Sequence, residues 1–196
     1  MSKPLSPGRL EAFSDGVIAV IITIMVLELH VPGKEVSNVD GLLSLVPLLT
    51  VYLLSFVQTG IYWVNHHYLV DDLDHVTHGI LWSNLALLFC LSLVPAATAW
   101  VAERGISPFS VALYCFALAL PGLPWFVLSS LICATTRKRP ASGLIQVLLS
   151  ITLYVAAIPL AYVSPYISLG LVALVAIMWL MPPRQIAELT RSDTTH

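Results

Sequence analysis

Six separate stretches of this chain are long and apolar enough to read as membrane spans, and no other property narrows its possible folds so far. A hydrocarbon core of about 30 Å is crossed by roughly 20 helical residues. Runs near that length occupy residues 8–30, 41–69, 77–102, 108–135, 142–163 and 165–181. Lipid offers no partner to a free N–H or C=O group, so each run has to be helical. Only 10% of the residues are charged, against roughly 25% in an ordinary soluble domain. The expectation is an all-α integral membrane protein with six transmembrane helices per chain. The six form one unit over residues 1–183, and residues 184–196 are expected to be a short, disordered, polar cytoplasmic tail.

Punctuation along the chain supports these limits. Val31-Pro32-Gly33 ends the first run and Pro182-Pro183 the last. The first run is too long for the apolar region of a cleavable signal, so it is expected to stay as the first span. Pro47, Pro95, Pro121, Pro124 and Pro159 lie inside spans and predict kinks rather than breaks, because neighbouring helices can satisfy the freed carbonyls. Pro121-Gly122-Leu123-Pro124 marks the strongest distortion. A pair of half-helices, as at transporter binding sites, is disfavoured there because no polar residue accompanies the motif. Cys90, Cys115 and Cys133 sit in apolar runs, are odd in number and lack metal-ligand spacing, so they read as small buried hydrophobes. Asp71, Asp72, Asp74 and His75 read as a solvated loop rather than a cation site.

Seven of the nine basic residues, Lys3, Arg9, Arg137, Lys138, Arg139, Arg184 and Arg191, fall on one side of a six-span arrangement, and only Lys34 and Arg104 on the other. The excess of positive charge marks the cytoplasmic side, so both termini are expected there. No charge run suggests nucleic-acid binding, and no internal repeat is visible. An axial pore therefore requires several chains.

The first span starts with charge. Arg9, Ser14 and Asp15 occupy its first turns, and an ionisable group in a span is expensive unless it has a partner or a function. Six-span topology brings His66 and His67, at the end of the second run, and Trp82 and Asn84, near the start of the third, to the same depth. Arg9, Ser14 and Asp15 are thus expected to face these groups. The cluster reads either as a polar knot joining three helices or as a proton relay. At about 100° per residue, Gly16, Val20, Thr23 and Leu27 share an arc of roughly 60°, with Ser14 and Asp15 more than about 100° from Val20. That line is either a packing seam of small residues or the wall of a pore closed by symmetry.

Arg9-x-x-x-Phe13-Ser14-Asp15 at the start of the first span resembles the Arg-x-x-x-Phe-Ser-Asp signature of the transmembrane protein 175 family, the endosomal and lysosomal potassium channels and their prokaryotic relatives. Trp63-x-x-His66-His67 and Leu81-Trp82-Ser83-Asn84-Leu85 followed by Leu93-Val94-Pro95 extend the likeness. It covers about the first half of the chain; the last three spans match in hydropathy only.

The resemblance implies a potassium-selective leak-type channel, with proton permeation left open, formed as a homotetramer in the bilayer of a prokaryotic plasma membrane. The first helix would line a central pore without the carbonyl filter of other potassium channels. Val20 would form the narrowest apolar ring, Thr23 the hydroxyl ring involved in selectivity and Leu27 an outer apolar ring, with Gly16 lining the path. Arg9, Phe13, Ser14, Asp15, His66, His67, Trp82 and Asn84 would brace the pore helix. Larger Ile or Leu is usual at the Val20 position, so this gate either leaks more or hands the narrowest ring to Leu27. The resemblance implies no enzyme activity, no cofactor and no metal beyond potassium passing Thr23. The alternative from the residues themselves is a proton-coupled secondary transporter with Asp15 and the His66/His67 pair as relay.

Overall fold

The computed structural model describes residues 6–29, 37–71, 73–136 and 144–180. Among them all regular structure is helical: α1 (Pro7–Ile24), continued by a tight 3-10 turn at Met25–Glu28, α2 (Asn38–Val70), α3 (His78–Ser92), α4 (Val94–Arg104), α5 (Pro108–Ala119), α6 (Gly122–Thr136), α7 (Leu144–Leu160) and α8 (Pro165–Leu180). α3 with α4 forms one apolar span, His78–Arg104, and α5 with α6 another, Pro108–Thr136. The eight helices thus group into six apolar units at the places of the six expected spans; four of them, Pro7–Glu28, Asn38–Val70, His78–Arg104 and Pro108–Thr136, are long and apolar enough to cross a membrane, and α7 and α8 are shorter apolar helices over the described residues. With 33 residues, α2 is about 50 Å long at about 1.5 Å per residue, so it tilts or projects beyond the hydrocarbon.

Helix limits follow local chemistry. α2 begins three residues before the expected 41 because the Ser37 hydroxyl caps it, accepting from the Asp40 N–H at 3.2 Å. Thr77 and Ser107 cap α3 and α5 in the same way, at 3.3 Å each. Gly105, at φ +75°, ends α4 in the left-handed region, where a side chain would be strained. The third span is divided at Leu93 because Pro95 has no N–H for the carbonyl four residues earlier. The fourth is divided at Leu120–Pro121 for the same reason. The Leu120 N–H still reaches the Phe116 carbonyl (3.2 Å) and the Trp125 N–H the Pro121 carbonyl (3.0 Å), so the distortion is a kink. Pro47 and Pro159 remain inside α2 and α7.

The core forms two layers along the bundle. One joins Leu10, Ile18 and Ile21 of α1 to Ile80, Leu87 and Leu91 of α3 and Leu128 and Ile132 of α6. The other joins Met25 to Val51, Val94, Tyr114, Cys115, Tyr154 and Val172. A hydroxyl knot ties α2, α4 and α5 in the second layer: Ser55 Oγ lies 2.8 Å from Thr98 Oγ1 and 2.9 Å from Tyr114 Oη. Cys115 is buried, and Cys90 and Cys133 are half-buried. Lys3, His30, Val31-Pro32-Gly33, Lys34, Asp72, Arg137-Lys138-Arg139, Pro182-Pro183 and the 184–196 tail with Arg184 and Arg191 lie outside the described residues.

Candidate functional site

The pattern of α1 divides it lengthwise. Leu10, Ser14, Ile18, Ile21 and Met25 are buried, at spacings of three and four residues that place them on one face. They pack against α2, α3 and α4. Ala12, Gly16, Ala19, Val20, Thr23, Ile24 and Leu27 are exposed, Val20 at 53% and Leu27 at 73%. Gly16, Val20, Thr23 and Leu27 therefore form a continuous uncovered line on a single chain. An apolar groove beside it is closed by Pro95 and Ser92 of the α3–α4 bend. The Thr23 hydroxyl donates to carbonyls of its own helix, Ala19 at 2.9 Å or Val20 at 3.0 Å. Its proton is thereby used, and the oxygen is left as an acceptor on the exposed face.

The buried face carries the polar brace. Ser14 Oγ donates to the Leu10 carbonyl (2.9 Å) and accepts from Asn84 Nδ2 (2.9 Å). Asn84 Oδ1 in turn lies 2.8 Å from His66 Nε2. Ser14, Asn84 and His66 are all 0% exposed, so this chain links α1, α3 and α2 with no water-facing member. Two further links run nearer the surface. The Trp63 indole N–H donates to Asp15 Oδ1 at 2.9 Å, and His67 Nδ1 meets Glu11 Oε1 at 2.7 Å.

Four of the expected brace residues stand elsewhere than their sequence depth suggested. Arg9 is exposed and has no hydrogen-bond or ionic partner among the described residues. It lies seven residues ahead of Gly16, two full turns, and so shares the exposed line instead of facing α2 and α3. Phe13 is 54% exposed beside it. Trp82, at 61% exposure, turns away from α1 and donates to His78 Nε2 one turn earlier in α3, at 2.9 Å. His67 pairs with Glu11 rather than Asp15. Equal depth is not equal azimuth: residues Trp82 and Asn84 differ by about 200° around α3, so only one of them can face α1. Glu11 escaped the sequence reading and Trp63 entered it only as part of a motif, not as a brace residue, yet spacing marks both. Glu11 is one turn before Ser14 and Asp15, and Trp63 is one turn before His66 and His67, positions that share a helix face.

Asp15 and His67 bond to separate partners and neither joins the Ser14–Asn84–His66 chain. The polar groups thus form three closed contacts rather than one continuous relay, which removes the geometry that a transporter relay through Asp15 and His66/His67 requires. Among the described residues no group of His, Cys, Asp and Glu side chains is placed to hold a metal.

Comparison with known proteins places the fold. Residues 9–95 match the family model of the endosomal/lysosomal potassium channel TMEM175. A potassium channel of Chryseobacterium sp. (strain P1-3) is 41% identical over 189 residues, covering 94% of this chain and 97% of that protein. The endosomal/lysosomal proton channel TMEM175 of Danio rerio is 36% identical over 103 residues, 47% of this chain and 19% of that protein. The crystal structure of a lysosomal potassium-selective channel TMEM175 homolog from Chamaesiphon minutus superposes with a TM-score of 0.76 at 30% identity, covering 89% of this chain and 96% of that one. With its helices, its α1 signature and its near full-length likeness to a bacterial relative, this chain belongs to the TMEM175 ion-channel family.

Proposed function

We propose that the chain forms a potassium channel in which copies of α1 surround a common axis, and that the assembly is a homotetramer. The observation that carries this reading is the division of α1. Its charged and hydroxyl-bearing inner face is consumed by contacts within the chain, while Gly16, Val20, Thr23 and Leu27 stand uncovered in a line. Around an axis that line becomes an apolar ring at Val20, an acceptor ring at Thr23 and an apolar ring at Leu27. Narrow apolar rings gate by excluding water. A ring of hydroxyl oxygens whose protons are engaged by backbone carbonyls suits a cation shedding part of its hydration shell. Potassium selectivity is supported by the relatives named for it, and proton permeation by the animal relatives named as proton channels.

Potassium passing Thr23 is the only ion this reading places in the protein, with no cofactor, no nucleic-acid partner and no enzymatic step. The excess of basic residues on one side supports cytoplasmic termini, and the single-chain likeness to bacterial relatives supports the plasma membrane of a prokaryote. Purified protein in liposomes is expected to carry potassium faster than sodium down matched gradients, and Thr23→Ala to narrow that difference. Absence of potassium flux, or unchanged selectivity in Thr23→Ala, overturns the assignment of these roles. A monomer or dimer by mass in detergent overturns the axial arrangement.

A further inference from the structure

The structure assigns a second polar site, inside each chain and apart from the uncovered face of α1: a water-binding cavity walled by α2, α6, α7 and α8. Three residues that line it carry a buried polar atom with no hydrogen-bond partner among the described residues, the Gln58 side-chain oxygen, the Trp125 indole N–H and the Tyr154 hydroxyl, with the Gln58 side chain beside Tyr154. Their residues are 4%, 3% and 3% exposed, so bulk water does not supply what the protein leaves out. Native proteins leave only a few such orphans per hundred residues. Three around one space require an occupant that both accepts and donates hydrogen bonds.

Size and charge identify that occupant. The space open to the centre of a water-sized sphere is about 20 Å³, and one water needs about 10–15 Å³ on that measure. One or two waters fit, and anything larger has to displace side chains. No ionisable carboxylate or amine lines the wall, so a neutral dipolar guest matches it and a permanent ion does not. A single water can donate to Gln58, accept from Trp125 and exchange a bond with Tyr154, within the usual two to four partners of a buried water.

Local structure explains why the cavity persists. It lies beside the kink at Leu120–Pro121, where α6 restarts on Gly122. A Cβ at Gly122 would stand 2.8 Å from Ile151 Cγ1, so the missing side chain sets how closely α6 approaches α7. The cavity also backs the stretch of α2 that carries Trp63 and His66 to α1. Water on one side of this stretch and the Asp15 and Asn84 contacts on the other hold it in register.

X-ray hydroxyl-radical footprinting of the full chain in nanodiscs tests the site, because radicals generated from bound water label the side chains touching it. Tyr114 provides the comparison: it is as deeply buried, 0% exposed against 3% for Tyr154, but its hydroxyl is filled by Ser55. Tyr154 is expected to label severalfold faster than Tyr114. Gln58→Leu, which removes the acceptor, is expected to abolish most labelling of Tyr154 and Trp125 and leave Tyr114 unchanged. Should that variant fail to assemble, Tyr154→Phe keeps the ring and is expected to lower Trp125 labelling instead. Tyr154 labelling no faster than Tyr114, or Trp125 labelling indifferent to both substitutions, overturns the proposal.

Discussion

Replacing Asn84 by leucine tests whether the buried brace holds α1 through His66 or merely fills space. The Asn84 side chain gives one bond to each of two neighbours, at 2.9 Å to Ser14 and 2.8 Å to His66, and the two losses differ. Ser14 keeps its donation to Leu10, so it forfeits about 0.6 kcal/mol, the average for an interhelical bond in a membrane protein. His66 loses everything, since its Nδ1 already has no partner among the described residues and the ring is 0% exposed. Orphaning a buried polar group costs about 1–3 kcal/mol. The expected total is about 2 kcal/mol, about thirtyfold in the unfolding equilibrium, and most of it belongs to His66. The double variant Asn84→Leu/His66→Leu should therefore cost far less than the sum of its singles, with a coupling of about 1–2 kcal/mol. Steric trapping or reversible unfolding in bicelles reads all three stabilities. Additivity to within about 0.5 kcal/mol, the usual scatter for uncoupled sites, would refute the reasoning, because it would mean that His66 does not depend on Asn84.

Glu11→Gln, by contrast, removes a pair whose side chains are 49% and 28% exposed, and it should change stability by less than about 1 kcal/mol, read in the same unfolding assay. Ser55→Ala takes away the hydroxyl shared by Thr98 and Tyr114 and should destabilise by about 1 kcal/mol; Tyr114→Phe in that background should cost little more, and an undiminished second loss in thermal melts would contradict a shared knot. Gly122→Ala drives a methyl against Ile151 and should cost about 1–3 kcal/mol, with Ile151→Ala restoring part of it; an unshifted melting temperature in Gly122→Ala would show that α7 yields freely.

Most of the fold was legible because lipid removes alternatives: apolar length and proline set most span limits, while the caps at Thr77 and Ser107 emerged only from the structure. The brace was legible in depth but not in azimuth. Ser14, Asn84 and His66 were named together correctly, since topology fixes which ends of α1, α2 and α3 meet. Trp82 does not meet α1 of its own chain, because its two-residue separation from Asn84 sends it to the other side of α3. Arg9 is exposed rather than turned toward α2 and α3, as its own wheel indicates by putting it about 20° from Val20. Charge suggested a buried partner, while periodicity already placed the side chain on the uncovered line. The cavity at Gln58, Trp125 and Tyr154 was not legible, because its polar atoms come from three helices far apart in sequence. The Pro121–Pro124 motif looked free of polar company only along its own strand of sequence.

The brace also limits how α1 can move. Its contacts come from Glu11, Ser14 and Asp15, all within the first three turns and all about 100° or more around the helix from Gly16 and Val20. Turning the helix by one residue, about 100°, would carry all three away from His67, Asn84 and Trp63 at once. For Ser14 this exposes no compensating water, because the contact is fully buried. Beyond Ile21 the buried residue is Met25, set in apolar packing, and the helix has already tightened into a 3-10 turn at Met25–Glu28. Apolar contacts slide at small cost, whereas directional bonds do not. Motion that changes the uncovered line should therefore be a tilt or bend pivoting on the Ser14–Asp15 level, with displacement growing toward Leu27. Val20, little more than one turn above the pivot, moves least, so changes in width concentrate at Thr23 and Leu27. Crosslinks between cysteines introduced in neighbouring chains at Leu27 should vary with channel state, and those at Gly16 should not. State-dependent crosslinking at Gly16 equal to that at Leu27 would place the pivot elsewhere.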